Sequence, residues 1–178
     1  MLNVSTTNEI NTERLLLRRF VPSDAASVHR NWASDPDVQL NYGEPVYKTK
    51  ARVSKLLDGY IKKYEKPFYF RWAIIEKASG ECIGQIAYFL VDTGNEFAEI
   101  EYCIGTAFQG KGYATEAVKA FLPVMAERLG ITEVYGIRLL ENAASGRVLE
   151  KCGFQTIFTG EGAYHDGVYP ISRSICRL

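Results

Sequence analysis

Residues 105–116 read GTAFQGKGYATE and contain Gly105-x-x-x-x-Gly110-Lys111-Gly112. This is one residue away from a P-loop, whose last position carries a Ser or Thr hydroxyl for Mg²⁺. Gly112 has no side chain, and no later strand ends in the Asp that would hold such a metal through water. Phosphate binding without hydrolysis is the chemistry left. Glycines let a phosphate approach the backbone without a Cβ in the way. A helix N-terminus adds unpaired N–H groups and about half a positive charge. Gln109-Gly110-Lys111-Gly112-Tyr113-Ala114 has this form, although a Gly-rich turn that merely enters a helix would look the same.

Two other groups could act on a bound molecule. In FAEIEYCI (97–104), Glu99 and Glu101 share one face of a strand by the two-residue period. A carboxylate pushed by burial toward working pH can take a proton from an amine. The plainer alternative is a solvated strand face with two acids. In NAASGRVLEKCG (142–153), Asn142 and Ser145 open a short helix, where both residue types also serve as ordinary caps. Cys103 could in principle carry an acyl group, but no histidine nearby in sequence would make it a thiolate, so an inert thiol is expected.

The elements that must hold these residues follow from periodicity and punctuation. RLLLRRF (14–20) reads as a first strand, and PSDAASVHRNWAS (22–34) as a helix opened by Pro and Asp. DPDVQLNYGEPVY (35–47) is broken by Pro, Gly and Asn and reads as a long loop. Apolar residues recurring at three and four predict a helix over 48–64. The runs 70–78, 81–91 and 96–104 form an antiparallel meander, with Ser79-Gly80 and 92–95 as its turns. A helix over 111–129 contains Pro123, which should kink it or cost a hydrogen bond. A buried strand at 133–140 precedes the capped helix 142–153, closed by Gly153. Strands at 154–160 and 168–178 flank a Gly-rich loop. The order is β-α-α-β-β-β-α-β-α-β-β, a mixed α/β fold.

At this order the motifs become specific. Gln109 to Ala114 resembles the coenzyme A pyrophosphate loop of the GNAT superfamily of N-acetyltransferases. GKGYATEAV (110–118) and Asn142-x-x-Ser145-x-x-Val148-Leu149-Glu150-Lys151-x-Gly153-Phe154 are similar to its ribosomal-protein N-terminal acetyltransferase branch (RimJ/RimL-like). The resemblance covers nearly the whole chain. It implies a GNAT-like, centrally splayed mixed sheet flanked by helices, and acetyl-CoA as the acetyl donor. It places Glu99 at the general-base position, with Glu101, where the branch more often has Gly, as a second base or a substrate contact. It places the backbone amides of Cys103 and Ile104 at the splay, where they pair with the pantetheine arm and the acetyl oxygen. The tyrosine that many members carry seven residues after the motif's Asn is Leu149 here. Ser145 is then the hydroxyl that could donate to the departing sulfur, and Asn142 a contact to the pantetheine chain. Arg147 and Lys151 could neutralise cofactor phosphates or be solvated helix charges.

Bulk composition narrows the partners. The 178 residues fit one domain spanning 1–178. Lys plus Arg equals Asp plus Glu, 21 each, with no basic block, so nucleic acid is not an expected partner. The four cysteines form no CxxC pair and the two histidines lie far apart, so no metal is expected. No secretory signal and no membrane-length apolar run is seen, which leads to the expectation of a cytoplasmic protein. A homodimer is a possibility at family level.

The resemblance implies an acceptor that bears an amine, either a small molecule or a protein N-terminus. Its walls are expected from 35–47 and 160–169, with Asp35, Asp37, Glu44 and Asp166 favouring a cation, Tyr42, Tyr47 and Tyr164 covering it, and His165 a fallback base. Direct transfer in a ternary complex is the expected reaction. A non-catalytic acyl-CoA-binding sensor and a phosphate-binding nucleotide module are the alternatives.

Overall fold

Alternating and near-continuous apolar runs at 70–104 build the centre of the molecule. In the computed structural model, which describes residues 8–66, 68–165 and 167–178, these runs are β3 (Phe70–Glu76), β4 (Cys82–Asp92) and β5 (Phe97–Ile104). They pair antiparallel in sequence order, as the turn signals predict. Two short strands precede them, β1 (Ile10–Asn11) and β2 (Leu15–Arg18); β6 (Glu133–Leu139), β7 (Gln155–Tyr164) and β8 (Gly167–Arg177) follow. The sheet order is β1-β2-β3-β4-β5-β6-β8-β7. The chain thus has the mixed α/β architecture expected from the sequence.

The helices fall on both faces. One face carries α4 (Tyr113–Leu129) and α5 (Ala143–Lys151), and its core includes Trp72, Phe121, Val134 and Leu149. Trp72 and Phe121 meet edge to face at 5.0 Å. The other face carries α1 (Ala25–Val28), α2 (Pro36–Tyr42) and α3 (Lys50–Lys63), over Phe20, Trp32, Leu57 and Ala73. No described helix is long and apolar enough to cross a membrane.

Three local expectations change, and a fourth takes one of its two expected forms. Residues 22–34 are not one regular helix: a 3-10 turn at Pro22–Asp24 leads into α1, which widens into a π turn at His29–Ala33. The expected loop 35–47 contains α2. Asp35 caps it by accepting from the amides of Asp37 and Val38, Pro36 sits in its first turn, and Gly43 closes it at φ 74°. These are start and stop signals of a helix rather than loop punctuation. The expected Gly-rich loop at 160–169 is the tip of the β7–β8 hairpin, with strand pairing reaching Tyr164 and Gly167; Asp166 lies outside the described residues. Finally, α4 runs through Pro123 as one element. Pro123 still cannot donate to the carbonyl one turn back.

One feature of the sheet positions everything else. β5 and β6 are parallel, but their pairing spans only Phe97–Ile100 against Glu133–Gly136. Beyond it, β5 continues with β4 to Ile104, and β6 continues with β8 to Leu139. The two strands diverge and leave a gap through the sheet.

Candidate active site

A cleft of about 690 Å³ occupies this gap and reaches both faces. Glu99, Cys103, Ile104, Gln109, Gly110 and Gly112 border it, as do Tyr113, Ala114, Asn142 and Ser145. Lys111 does not; its ammonium lies 5.3 Å above the Phe108 ring.

At one end, the glycine loop enters α4. Gly110 and Gly112 have φ of 75° and 82°, a left-handed conformation that side chains rarely adopt. Glu116 donates to the Gly112 carbonyl at 3.0 Å, so the amides before Glu116 lie ahead of the helix ladder. The loop is braced from within and without. The Gln109 side chain donates to the Ile104 carbonyl at 2.9 Å. Arg14 donates to the Lys111 carbonyl at 2.9 Å and pairs with Glu116 at 2.7 Å. The Tyr113 hydroxyl donates to Glu76, and Arg14 covers its ring at 4.5 Å. Gln109 and Tyr113 thus spend their side chains on shaping the loop.

This cradle suits a diphosphate. No heavy atom lies within 4 Å of where a Cβ on Gly110 would sit, so only its backbone angle resists substitution. Gly110→Ala should therefore lower acetyl-CoA affinity about tenfold, the equivalent of roughly 1–2 kcal/mol of left-handed strain. Calorimetric titration of wild type and variant checks this.

The register of β5 sorts its residues. Gly105 donates to Ile83 across β4, so the antiparallel alternation turns the Cys103 amide toward β4 as well. The amides of Tyr102 and Ile104 then face the gap. The Cys103 thiol is buried among α1–α3 residues, and burial pushes its pKa up, which suits an inert thiol. All four cysteines are free.

Side chains alternate across the same strand. Glu99 and Glu101 point toward the α2 face, and Tyr102 toward α5. Burial raises the Glu99 pKa, the Arg173 cation opposes that, and the negative Glu101 adds to it. Glu101 is differently placed. Arg71 pairs with it at 2.5 Å and the Tyr42 hydroxyl donates to it at 2.7 Å. Arg71 also donates to Tyr42 and Gln85 and lies 4.6 Å above the Tyr60 ring. Glu101 is tied into this network, whereas Glu99 has the perturbed environment of a proton acceptor.

On the α5 side, Asn142 is the helix cap, accepting from the Ser145 amide at 3.0 Å. The Ser145 hydroxyl lies 2.9 Å from that of Tyr102. Leu149 is buried, and its side chain is so close to Gly136 that a Cβ there would meet it at 2.9 Å.

The acceptor walls are partly as expected. Asp37, Tyr42, Tyr164 and His165 border the cleft. The hairpin tip docks on the end of α2. The Tyr164 hydroxyl donates to the Asn41 carbonyl at 2.8 Å, and the His165 ring fills the space a Cβ on Gly43 would need. Asp35 and Glu44 are used structurally. Thr106 donates to Asp35, which also caps α2, and Tyr47 donates to Glu44. Among the described residues, no group of three or more His, Cys, Asp or Glu is placed to hold a metal. Arg71, Tyr102 and Arg173 were not singled out from the sequence. Their partners are remote in the chain, and no local spacing announces them.

A split sheet with a phosphate cradle on one side of the gap and a perturbed acid on the other is the layout of an acyltransferase that uses a phosphate-bearing donor. Comparison with known proteins agrees. The model of the acetyltransferase (GNAT) domain matches residues 14–155, and the chain belongs to that family. It is an acetyl-CoA-dependent N-acetyltransferase. It is 26% identical over 146 residues to the N-acetyltransferase YoaA of Bacillus subtilis, covering 82% of each chain. A GNAT-family acetyltransferase from Bacillus anthracis superposes with a TM-score of 0.80 at 24% identity, over 96% of this chain and 98% of that one. RimL, a ribosomal L7/L12 alpha-N-protein acetyltransferase in complex with coenzyme A, does so with a TM-score of 0.82 at 20% identity, over 96% and 98%. The two structures share the fold.

Proposed function

We propose that this protein transfers an acetyl group directly to a primary amine, a protein N-terminus or a small amine, with both substrates bound together. The observation that carries this reading is the cleft that passes through the sheet, with the glycine cradle and Ser145 on one side and Glu99 on the other. Bound acetyl-CoA would supply an activated acetyl thioester.

The chain's own residues would divide the work. Amides at 110–114 hold the diphosphate, with Arg147 and Lys151 at the cleft wall adding positive charge. The Tyr102 and Ile104 amides, facing the gap, orient the pantetheine arm and the acetyl oxygen. Glu99 accepts a proton as the amine nitrogen bonds to the acetyl carbon. The carbon–sulfur bond breaks, and sulfur leaves with the electron pair beside the Ser145 hydroxyl. Asp37, Tyr42, Tyr164 and His165 shape the acceptor end.

An α-amino group ionises near pH 8, about two units below lysine, so it needs less help from a carboxylate base than lysine does. A protein N-terminus therefore suits Glu99 well, and the fold shared with an alpha-N-protein acetyltransferase supports the same choice.

The test is a screen of peptide N-termini and small amines for thiol release from acetyl-CoA, beside thermal-shift measurements with coenzyme A, acetyl-CoA and ATP. Thiol release that depends on an amine is the expected result. Stabilisation by acetyl-CoA without release for any amine would indicate a sensor, and stabilisation by ATP alone a nucleotide module.

A further inference from the structure

We infer that Tyr102 is a positioning residue for acetyl transfer, holding the Ser145 hydroxyl so that its single proton can face the leaving sulfur. This rests on the reading above, which uses only the backbone amide of Tyr102, and assigns a role to its side chain.

The placement comes first. β5–β6 pairing ends at Ile100 and Gly136, two residues before Tyr102. The Tyr102 side chain therefore stands at the gap, on the face opposite Glu99 and Glu101, and reaches across to α5. There its hydroxyl meets Ser145 twice, at 2.9 Å to the hydroxyl and 3.2 Å to the carbonyl. The Ser145 amide is already fixed by Asn142. Ser145 is thus held at its backbone by the helix cap and at its side chain by Tyr102.

Proton counting gives this contact a purpose. Each hydroxyl carries one proton and can also accept. In one arrangement Tyr102 donates to the Ser145 carbonyl, and Ser145 donates to the tyrosine oxygen. In the other Tyr102 donates to the Ser145 oxygen, and the serine proton is free for the cleft. Only two hydroxyl rotors differ, and no heavy atom moves. A sulfur gaining negative charge in the cleft favours the second arrangement, because hydrogen bonds to a charged acceptor are the stronger ones. The serine proton stays on its oxygen while it stabilises the thiolate, so Ser145 never becomes an alkoxide. No other hydroxyl is offered one turn along α5, where Leu149 is packed into the core.

The surroundings keep Tyr102 in its donating form. Burial is the main cause of its raised pKa, with the Ser145 contact and Arg138 opposing and Cys152 and Tyr164 adding. Cys152, after α5, is itself pushed up to about 11, and Tyr164, on β7, to about 12. Arg138, on β6, is a permanent cation. None of these neighbours changes charge between pH 6 and 9, where a bound thiol can be titrated.

The experiment compares wild type, Tyr102→Phe, Ser145→Ala and the double variant, each saturated with coenzyme A, by following thiolate absorbance against pH. The wild-type complex should ionise its thiol at lower pH than any variant, by about one pH unit. The three variants should share one value, because Ser145→Ala removes the directed proton and Tyr102→Phe leaves it undirected. With acetyl-CoA and an accepted amine, Tyr102→Phe should lower kcat about tenfold at unchanged acetyl-CoA KM, and the double variant should be no slower than Ser145→Ala. The inference is overturned if Tyr102→Phe titrates like wild type, if the two single shifts add, or if the wild-type thiol titrates as in free coenzyme A. Tyr102→Phe removes one oxygen and keeps the ring, so a fold defect would show separately in its melting temperature. Failure of the transferase reading looks different: wild type then releases no thiol with any amine tested, whatever its bound thiol does.

Discussion

Glu99→Gln is expected to slow acetyl transfer by about a hundredfold or more and, at neutral pH, to make the protein more stable. Both effects have one cause. Burial holds the Glu99 carboxyl above its ordinary range, and the Glu101 charge adds to this against the attraction of Arg173. In wild type the rate should rise with pH as Glu99 ionises, and the rate ratio to the variant should widen through that range. Above it the ratio should level off, because both proteins depend alike on the neutral form of the amine.

The stability sign follows from proton linkage. Between the unfolded pKa and the raised folded one, the folded state binds more protons, so stability falls as pH rises through that window. Above it the full penalty for a buried carboxylate is present. Glutamine carries no such penalty, so its melting temperature should exceed that of wild type at pH 7 and approach it at pH 4. Rate–pH profiles and melting curves for the two proteins check both halves. A variant as fast as wild type at every pH would remove Glu99 from the role of base.

Arg71→Ala should cost about 3 kcal/mol of stability, the low end for breaking a buried ion pair. For a chain of this size that is roughly 10 °C in melting temperature. The Arg71 and Glu101 side chains are 13% and 18% exposed and 2.5 Å apart. Removing the guanidinium leaves Glu101 without its counter-ion, and Gln85 and Tyr42 without a donor. It also empties the space above the Tyr60 ring. Arg71→Met combined with Glu101→Gln removes both charges and should recover much of the loss, since a well-packed neutral replacement of an ion pair is tolerated. Chemical denaturation of the single and double variants measures this. Equal destabilisation in both would show that packing, and not the unpaired carboxylate, is responsible.

What could be read from the sequence was what is periodic or local. The meander 70–104 shows its strand period, and Gly110 and Gly112 sit directly before the helical pattern that begins α4. The Asn142 cap lies three residues from the amide it serves. Helix α2 was hidden because Asp35-Pro36 and Gly43, which start and stop it, are also the residues of turns. The hairpin tip was hidden because glycines at 160, 162 and 167 dilute the strand pattern of β7 and β8. The remaining features join residues far apart in the chain. Arg71 meets Glu101 across 30 positions, Tyr102 meets Ser145 across 43, and Arg14 meets Glu116 across 102. Only folding creates those contacts. A carboxylate at 101 looks like a second base or a substrate contact in the sequence, and its ion pair with Arg71 could not be read there.

A crystal structure of the protein with coenzyme A bound bears most directly on whether the glycine loop aims a thioester into the split sheet. The expected density puts the diphosphate oxygens within hydrogen-bond distance of backbone nitrogens in 110–114, and the sulfur in the gap between Ser145 and Glu99. Coenzyme A seated away from the α4 N-terminus, or a sulfur directed out of that gap, would contradict it.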